Sequence, residues 1–531
     1  MRSINRNRIN FIFALLFLFF LILLARALYL NLALSGNENV KIKKLNPNRR
    51  YDILDRNDNI LATDIVTYTL YAEPYNIRSV KQVVNDLKEF APLINWQNIE
   101  KKLANKRFKG RVLLIRDLTP KQKMAINNLG HVGLYFHEDL KRFYPYSNIM
   151  SHLLGFVDYD EYGLSGFEGY VSKILLNNEQ IDQDKINLSI DIKIQNIVHE
   201  ELNKALKEYS ASGAVAIVMD VQTAEIYAMV SLPDYNPYDP GPSLKDRNFN
   251  NKATYDSHEM GSTFKIFTMA LALEEQLISL EEKLDVSENI EISGYKIKDF
   301  KKIKEEISVR DIFIRSSNIG TSKIAQKFTD KQQQDFLMKL KLFSPLEIEL
   351  IEKSSTNLPN KWGLTRKITA SYGYGVAVTA MHLTQAVNAV INDGIFKPAT
   401  IIKDKNMHRQ GERIISEENS AIIRSLMRDV VKYGTARKAF SLGYDIGGKT
   451  GSANKVGKYG YDEDRLLSSF IAIFPVEKPK FIIYSFLDEP KGTIATAGYA
   501  TGGATVAPLV KNIIERIAPI YDLAPEKNVR Y

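Results

Sequence analysis

The feature that most constrains this chain is an unbroken apolar run near its N-terminus, FIFALLFLFFLILLA, residues 11–25. With its flanks, segment 9–30 would span about 33 Å as a helix, enough to cross the hydrocarbon core of a bilayer. Thirteen of the fifteen residues are Leu, Ile or Phe, which favours insertion by roughly 4 to 8 kcal/mol. Arg26 lies near the helix end, where its charge can extend to the interface. We therefore predict a membrane helix over 9–30.

The charges around this segment favour an N-terminus inside the cell. Three arginines lie within the first eight residues, and no basic residue occurs between 27 and 40, although several follow from 41. A cleaved signal peptide is the alternative, because Ala25-Arg26-Ala27 mimics a small-x-small cleavage site. The Arg inside that site makes us favour a retained anchor.

Length and composition indicate a folded, multidomain protein. A chain of 531 residues is expected to form two or three domains. Lys and Arg exceed Asp and Glu by 71 to 62, without a dense basic block of the kind that binds nucleic acid, so we expect no nucleic-acid partner. Cysteine is absent, which excludes disulfides and thiolate chemistry. The seven histidines lack ligand spacing, so neither a metal nor a cofactor is expected.

The hydrophobic pattern predicts an α+β protein. Alternating residues over 49–74 predict a strand, a turn and a strand, whereas the Gly- and Tyr-rich stretch 142–169 is predicted to be irregular. Near residue 214 and again from 466 the chain reads as paired strands, and helical patterns fill 262–440. Strands at both ends with helices between predict one sheet built from distant segments.

One motif points to a nucleotide site. Gly443–Thr450 fits G-x-x-x-x-G-K-[ST], and AVAIVMD (214–220) has the form of a magnesium-binding strand. However, three glycines occur in the eleven residues after Thr450, which prevents the helix that a phosphate loop requires. The apolar strand also precedes the loop, the reverse of the usual order. We set the ATPase interpretation aside.

A serine acyl-transfer site fits better. Ser262, Ser293 and Ser452 each satisfy S-x-x-K. Ser262 opens a strong helical pattern, where a helix cap is its alternative role, but Lys265 then lies one turn on, on the same face. A neutral lysine there could accept the serine proton, and the helix dipole and a neighbouring cation would both lower its pKa. Ser293 lies in a strand-like alternation that puts its hydroxyl and the lysine on opposite faces.

Two further motifs follow in order. Ser316-Ser317-Asn318 supplies S-x-N, and Lys449-Thr450-Gly451 supplies K-T-G. A rival S-x-N, 287–289, is flanked by acidic residues and lacks the Ser-Asn-Ile-Gly continuation. The order S-x-x-K, S-x-N, K-T-G is the signature of penicillin-recognising serine enzymes.

The chain resembles the class B penicillin-binding proteins, specifically the division-type peptidoglycan transpeptidases. The resemblance runs from the anchor to about residue 515. Its departures are Met260 where Pro is usual, Tyr51 and Asp58 where Gly is usual, and Ser452 where Thr is frequent. None removes a catalytic group. The segments that carry the resemblance are ARALYLN, ILDRNDNILA, RFYPYSNIMSHLLGF, GLSGFE, LSIDIKIQ, EMGSTFK, RSSNIG, YGYGVAVTAMHLTQA, YGTA, GGKTGSA and DEPK.

The resemblance implies an α+β fold with a membrane helix, an elongated β-rich pedestal and a penicillin-binding transpeptidase domain whose five-stranded antiparallel sheet is flanked by helices. The implied layout is a cytoplasmic tail (1–8), the membrane helix (9–30), a pedestal or dimerisation-type domain (31–185), the transpeptidase domain (186–520) and a tail (521–531).

The resemblance also implies the site roles. Ser262 would attack the penultimate D-Ala carbonyl of a D-Ala-D-Ala stem peptide, with Lys265 as base and Ser316 relaying a proton to the leaving amine. Asn318 would hold the peptide amide and Lys449 would supply positive potential. The hydroxyls of Thr450 and Ser452 would bind the terminal carboxylate of the substrate. Gly451 would leave clearance for the substrate along an edge strand.

The implied function is cross-linking of peptidoglycan at the division septum, with β-lactams as inhibitors. The implied partners are stem peptides, membrane lipid around the anchor, a SEDS-type glycan polymerase and other division proteins. The implied location is the inner membrane, with the catalytic domain in the periplasm. The alternatives are a D,D-carboxypeptidase or β-lactamase-like hydrolase, and an inactive division scaffold.

Overall fold

A computed structural model describes residues 13–26, 50–176, 185–241 and 250–523, except 293, 357, 360, 458 and 459, together with 525. Residues 13–26 form helix α1, whose side chains are exposed. The rest of the predicted segment 9–30, the predicted tail 1–8 and residues 31–49 lie outside the described residues. Within the described part of the chain, no helix is both long and apolar enough to cross a membrane.

The N-terminal region contains a five-stranded sheet in which β2 pairs with β1, β3 and β4, and β1 pairs with β5. The strand–turn–strand predicted over 49–74 is confirmed by β1 and β2. The turn between them is held by the Asp55 carboxylate, which accepts from the main-chain N–H groups of Asn57 (2.7 Å) and Asn59 (2.9 Å). The elements of this region are β1 (Asp52–Leu54), β2 (Ile60–Ala72), α2 (Val80–Leu87), α3 (Trp96–Ala104), β3 (Val112–Leu118), α4 (Pro120–Asn128), β4 (Leu134–Phe143), α5 (Ser151–Leu154), α6 (Gly166–Leu176) and β5 (Lys185–Asn187).

The prediction of irregular structure over 142–169 is wrong in part, because this stretch contains α5 and the start of α6. Two glycines give α6 a weak intrinsic preference for helix. Its Glu168 is fully buried and accepts from Arg142 Nε (2.6 Å) and from Arg50 (2.7 Å). Arg142 also pairs with Asp64 of β2 at 3.0 Å. Tertiary ion pairs therefore fix a helix that local propensity does not predict.

The C-terminal region contains a second five-stranded sheet, ordered β16-β17-β18-β6-β7 and antiparallel throughout. The prediction of one sheet from distant segments is confirmed, since β6 and β18 lie side by side. The strands of this region are β6 (Gly213–Asp220), β7 (Ile226–Leu232), β8 (Ser257–His258), β9 (Lys283–Asp285), β10 (Ile290–Ile292), β11 (Tyr295–Ile297), β12 (Glu306–Ser308), β13 (Val378–Thr379), β14 (Ile395–Phe396), β15 (Glu412–Arg413), β16 (Gly447–Gly457), β17 (Gly460–Phe474) and β18 (Phe481–Asp488).

Helices cover this sheet. Every residue of β6 and β7 is buried, which requires cover on both faces. Tyr521, the first residue of the predicted C-terminal tail, belongs to the fold, because its hydroxyl donates to Asp191 at 2.7 Å; 524 and 526–531 lie outside the described residues. The helices of this region are α7 (Ile192–Glu208), α8 (Lys265–Glu274), α9 (Val309–Ile314), α10 (Asn318–Gln326), α11 (Asp330–Lys339), α12 (Leu364–Ser371), α13 (Ala380–Ile391), α14 (Glu417–Lys432) and α15 (Gly502–Ile517).

Candidate active site

Ser262 lies in a short 3₁₀ turn, Gly261–Phe264, that runs directly into α8. Side chains three residues apart are eclipsed in a 3₁₀ turn, so Ser262 and Lys265 share one face, as predicted. The alternative interpretation of Ser262 as a helix cap is not supported, because the N-cap positions of the turn and of α8 are Met260 and Phe264. Its hydroxyl is therefore not committed to holding the helix end.

Lys265 is buried against the S-x-N motif. Its Nζ donates to the Ser316 carbonyl (2.6 Å), to Asn318 Oδ1 (2.8 Å) and to Ser316 Oγ (3.1 Å). Burial is the main cause that lowers the pKa of Lys265 well below its ordinary value, and the nearby Lys449 lowers it further, while Asp299 opposes the shift. A lowered pKa favours the neutral amine, the form that can accept a proton.

Lys449 approaches the same hydroxyl from the other side. It lies in β16, fully buried, and its Nζ donates to Ser316 Oγ at 2.9 Å and to the Thr450 carbonyl at 3.2 Å. Burial lowers the pKa of Lys449 to about 7. The Ser316 hydroxyl therefore sits between two amines that both titrate below the usual lysine range, which suits a proton relay.

The S-x-N motif is held by a residue that the sequence did not reveal. Asp299 accepts from Ser317 Oγ (2.7 Å) and from the main-chain N–H groups of Asn318 (2.5 Å) and Ile319 (3.0 Å). Ser316 has a φ of 60°, a conformation that costs a non-glycine residue about 1–2 kcal/mol. Asp299 and the cap at the start of α10 help hold it. No spacing or periodicity connects Asp299 to the motif.

The hydroxyls predicted to bind a carboxylate are both in β16, the edge strand of the sheet. Thr450 Oγ1 lies 2.7 Å from Thr435 Oγ1, and Ser452 Oγ accepts from the Gly502 N–H at 3.1 Å. Thr435 belongs to the YGTA segment that the sequence flagged without a role. Gly502 begins α15, so a helix N-terminus, which carries partial positive charge, abuts the K-T-G strand.

At Gly451 the structure shows a packing constraint, and the predicted clearance for substrate stays a prediction. A Cβ at this position would lie 2.3 Å from Ser469 Oγ and 2.8 Å from the Met260 carbonyl. The space that a side chain would enter here is therefore occupied by protein. The missing side chain lets β16 pack against the turn that carries Ser262.

A second residue that supports the nucleophile, Glu259, was also not predicted from the sequence. Glu259 Oε1 accepts from the Gly375 N–H (2.6 Å) and from the Tyr461 hydroxyl (3.1 Å). Gly373 accepts from the Gly261 N–H at 3.1 Å. The turn before Ser262 is thus tied to the YGYG segment and to the β16–β17 hairpin. Burial raises the pKa of Glu259.

The competing motifs do not assemble a site. Lys455, the partner of Ser452 in the rival S-x-x-K, pairs with Asp488 at 2.9 Å and Glu489 at 3.0 Å, and these carboxylates raise its pKa. A protonated, paired lysine is a poor base. Lys449 and Thr450 lie within a strand that continues to Gly457, so the helix of a phosphate loop is absent there. Ser293 lies outside the described residues.

Sequence comparison links both regions to known families. Residues 45–211 match the family described as the penicillin-binding protein dimerisation domain, and residues 214–515 match the penicillin-binding protein transpeptidase domain. The second match contains all eight predicted site residues.

Named relatives extend over most of the chain. The probable peptidoglycan D,D-transpeptidase FtsI of Caulobacter vibrioides is 34% identical over 480 residues, covering 88% of this chain and 81% of the relative. FtsI of Escherichia coli K12 is 27% identical over 504 residues, covering 89% and 84%.

Solved structures share the fold. Penicillin-binding protein 3 of Mycobacterium tuberculosis, complexed with aztreonam, is 22% identical with a TM-score of 0.70, covering 90% of this chain and 97% of its own. A peptidoglycan synthetase of Bifidobacterium adolescentis, at 23% identity, also has a TM-score of 0.70, covering 91% and 97%.

Proposed function

This chain belongs to the penicillin-binding protein transpeptidase family, and from that premise we propose that Ser262, Lys265, Ser316 and Lys449 form its acylation centre. The protein is a peptidoglycan D,D-transpeptidase that cross-links stem peptides through an acyl-serine intermediate and is a target of β-lactams. The observation that carries the residue assignment is the Ser316 hydroxyl, placed between the buried amines of Lys265 (3.1 Å) and Lys449 (2.9 Å) next to the Ser262 turn.

In the first step Lys265 accepts the Ser262 proton as Oγ bonds to the penultimate D-Ala carbonyl carbon. The N–H groups of Ser262 and Ser452 are the proposed donors to the developing oxyanion. The amide C–N bond then breaks, and the leaving D-Ala amine takes its proton through Ser316. Burial of both lysines supports this relay, because it keeps protons weakly held at neutral pH.

The K-T-G strand is the proposed binding edge. Lys449 supplies positive potential, while the hydroxyls of Thr450 and Ser452 receive the terminal carboxylate, and Asn318 holds the peptide amide. In the second step an amine from another stem peptide attacks the acyl carbon, Ser262 leaves as the alcohol, and a new peptide bond closes the cross-link. A β-lactam follows the first step and leaves the serine acylated.

Neither alternative function is favoured. A hydrolase would release the acyl group to water, whereas the relatives named above are transpeptidases. A scaffold without activity has no need for Lys265 and Lys449 at hydrogen-bond distance from one hydroxyl. Steady penicillin hydrolysis by the purified protein would contradict the transpeptidase conclusion.

We further propose that the chain is a single-pass inner-membrane protein with a cytoplasmic N-terminus and a periplasmic catalytic domain at the septum. The apolar run and the arginines before it support this orientation. The domain limits 31–185 and 186–520 belong to the same proposal, as do membrane lipid, a SEDS-type polymerase and other division proteins as partners.

Labelling with a fluorescent penicillin tests the nucleophile. The wild-type chain should acquire a long-lived covalent label, and Ser262→Ala should acquire none. Ser452→Ala serves as the matched control, since it removes the rival serine and should leave the covalent bond possible. Equal labelling of Ser262→Ala and wild type would refute the assignment of Ser262.

A further inference from the structure

The segment KDFKKIK, residues 298–304, lies beside the active site and carries four lysines and one aspartate. The aspartate, Asp299, is already engaged, because its carboxylate accepts from Ser317 and from the N-terminal main-chain N–H groups of α10. The lysine charges are therefore not neutralised from within the segment.

Among the described residues these lysines also have no other partners. Lys298, Lys301, Lys302 and Lys304 are exposed, and across the part of the chain that the structure describes none of their amines forms an ion pair or a side-chain hydrogen bond. The next acidic residue, Glu305, is taken by Arg315 at 3.2 Å. We leave out Lys296, because it faces Glu291 across the β10–β11 pair.

The segment begins at the S-x-N motif. The Lys298 carbonyl accepts from Asn318 Nδ2 at 3.0 Å, and Oδ1 of the same amide accepts from Lys265 at 2.8 Å. The backbone of the segment is thus two hydrogen bonds away from the proposed base.

The segment also reaches toward the K-T-G side. The ring of Phe300 contacts the ring of Tyr499, with centroids 6.4 Å apart, and both rings are more than half exposed. Tyr499 precedes Gly502 by three residues, and the Gly502 N–H donates to Ser452 Oγ. The segment therefore contacts the S-x-N side of the site through Lys298 and the residues before Gly502 through Phe300.

We propose that Lys298, Lys301, Lys302 and Lys304 form a lysine rim that binds side-chain carboxylates of an acidic stem peptide, upstream of its D-Ala-D-Ala end. The inference rests on the proposed function, which supplies the peptide. Exposed ammonium groups attract a carboxylate mainly by raising its local concentration and its rate of association. Salt weakens this attraction, because the screening length is about 10 Å at an ionic strength of 0.1 M. A peptide is favoured over a nucleic acid because the groups beside the rim, Thr450 and Ser452, suit a peptide carboxylate.

The experiment uses the full-length chain and two synthetic peptides that end in D-Ala-D-Ala. They differ only in having glutamate or glutamine two residues before that end. Each peptide is measured by D-Ala release and by its competition against fluorescent penicillin. The rim variant is Lys301→Gln/Lys302→Gln/Lys304→Gln, which spares Lys298 because it directly precedes Asp299, the residue that holds the S-x-N motif. The matched control is Lys81→Gln/Lys101→Gln/Lys102→Gln, three exposed lysines of the N-terminal region.

At low salt the wild-type chain should prefer the glutamate peptide, and the rim variant should lose about 3- to 10-fold of that preference. Penicillin labelling and the glutamine peptide should be unaffected, and added salt should remove the wild-type preference. The control should behave as wild type. The proposal of a lysine rim is overturned if the rim variant keeps the preference for the glutamate peptide, or if the control loses it equally. Absence of penicillin labelling in the wild type would instead overturn the proposed function, so the two failures are distinct.

Discussion

The buried amine of Lys265 lies 2.6 Å from the main-chain carbonyl oxygen of Ser316, whose backbone is left-handed with a φ of 60°. Two substitutions distinguish the effect of the strained Ser316 backbone from the effect of its hydroxyl. Ser316→Ala and Ser316→Gly should both lose about 10²–10⁴-fold in acylation rate, because both remove the proton relay. Only glycine relieves the strain, so Ser316→Gly should be more stable than Ser316→Ala by about 1 kcal/mol in urea unfolding. Equal stability of the two variants would argue against strain at this position.

On its acid limb the rate of penicillin acylation should rise with pH, because the neutral form of Lys265 is the base. Lys449 contributes to the lowered pKa of Lys265, so Lys449→Gln should move this acid limb to higher pH as well as reduce the maximum rate. Stopped-flow acylation from pH 5 to 9 measures both effects. A limb that stays in place or moves to lower pH would contradict the coupling.

The lowered pKa of Lys449 also predicts how the free energy of unfolding depends on pH. Lys449 has a pKa of about 7 in the folded chain against an ordinary value of 10.5, so between these pH values the unfolded state binds the additional proton. Stability should therefore rise with pH across this window, by up to about 1.4 kcal/mol per pH unit for this group. Lys449→Met should flatten that slope in urea unfolding at pH 7, 8 and 9.

Asp299 is expected to act as a positioning residue. Asp299→Ala removes three hydrogen bonds at the start of α10 and should reduce acylation along with stability. Thr329→Ala is the matched control, because Thr329 caps α11 by the same chemistry away from the site. Each should lower the free energy of unfolding by about 1 kcal/mol or more, but only Asp299→Ala should slow penicillin labelling of the folded protein, and Asp299→Asn should restore part of the rate.

Gly451→Ala distinguishes packing from substrate clearance. If the added methyl displaces the Met260–Thr263 turn, as its 2.8 Å approach to the Met260 carbonyl indicates, acylation by a small penicillin and by a long peptide should fall by the same factor. A loss confined to the peptide would support clearance instead. Second-order acylation rates for the two donors provide the comparison.

The buried ion network of the N-terminal region offers a stability test remote from the chemistry. Arg142→Met removes the guanidinium that pairs with Asp64 and leaves Glu168 with Arg50 alone, and should destabilise the chain by about 3–5 kcal/mol. The neighbouring pair Lys141–Asp117, at 2.6 Å, is exposed, so Lys141→Met should cost less than about 1 kcal/mol. Urea midpoints report both.

Local patterns were sufficient for part of the fold. The β6–β7 and β17–β18 hairpins were predictable because their apolar runs end at turns. Helix α6 was not, since buried partners for Glu168 come from Arg50 and Arg142, far away in sequence.

The candidate site, like the fold, was predictable from the sequence only in part. Ser262 and Lys265 share a short motif whose spacing carries its geometry, and the S-x-N and K-T-G motifs are joined to it by resemblance. Asp299, Glu259 and Thr435 act through contacts that exist only after folding. Gly451 was predicted to leave clearance for substrate, whereas its packing against Ser469 and Met260 depends on which atoms occupy the neighbouring space after folding.

The order of strands in the catalytic sheet has a consequence during synthesis. β6 is paired on one side by β7, which follows it immediately, and on the other by β18, which begins at Phe481. A ribosome that has already produced the nucleophile helix must therefore add more than two hundred further residues before β6 gains its second neighbour. Until then that edge is open to pairing with other chains. A nascent chain halted before β18 would hold Ser262 and Lys265 without a working enzyme, and penicillin reactivity should emerge only near the end of translation.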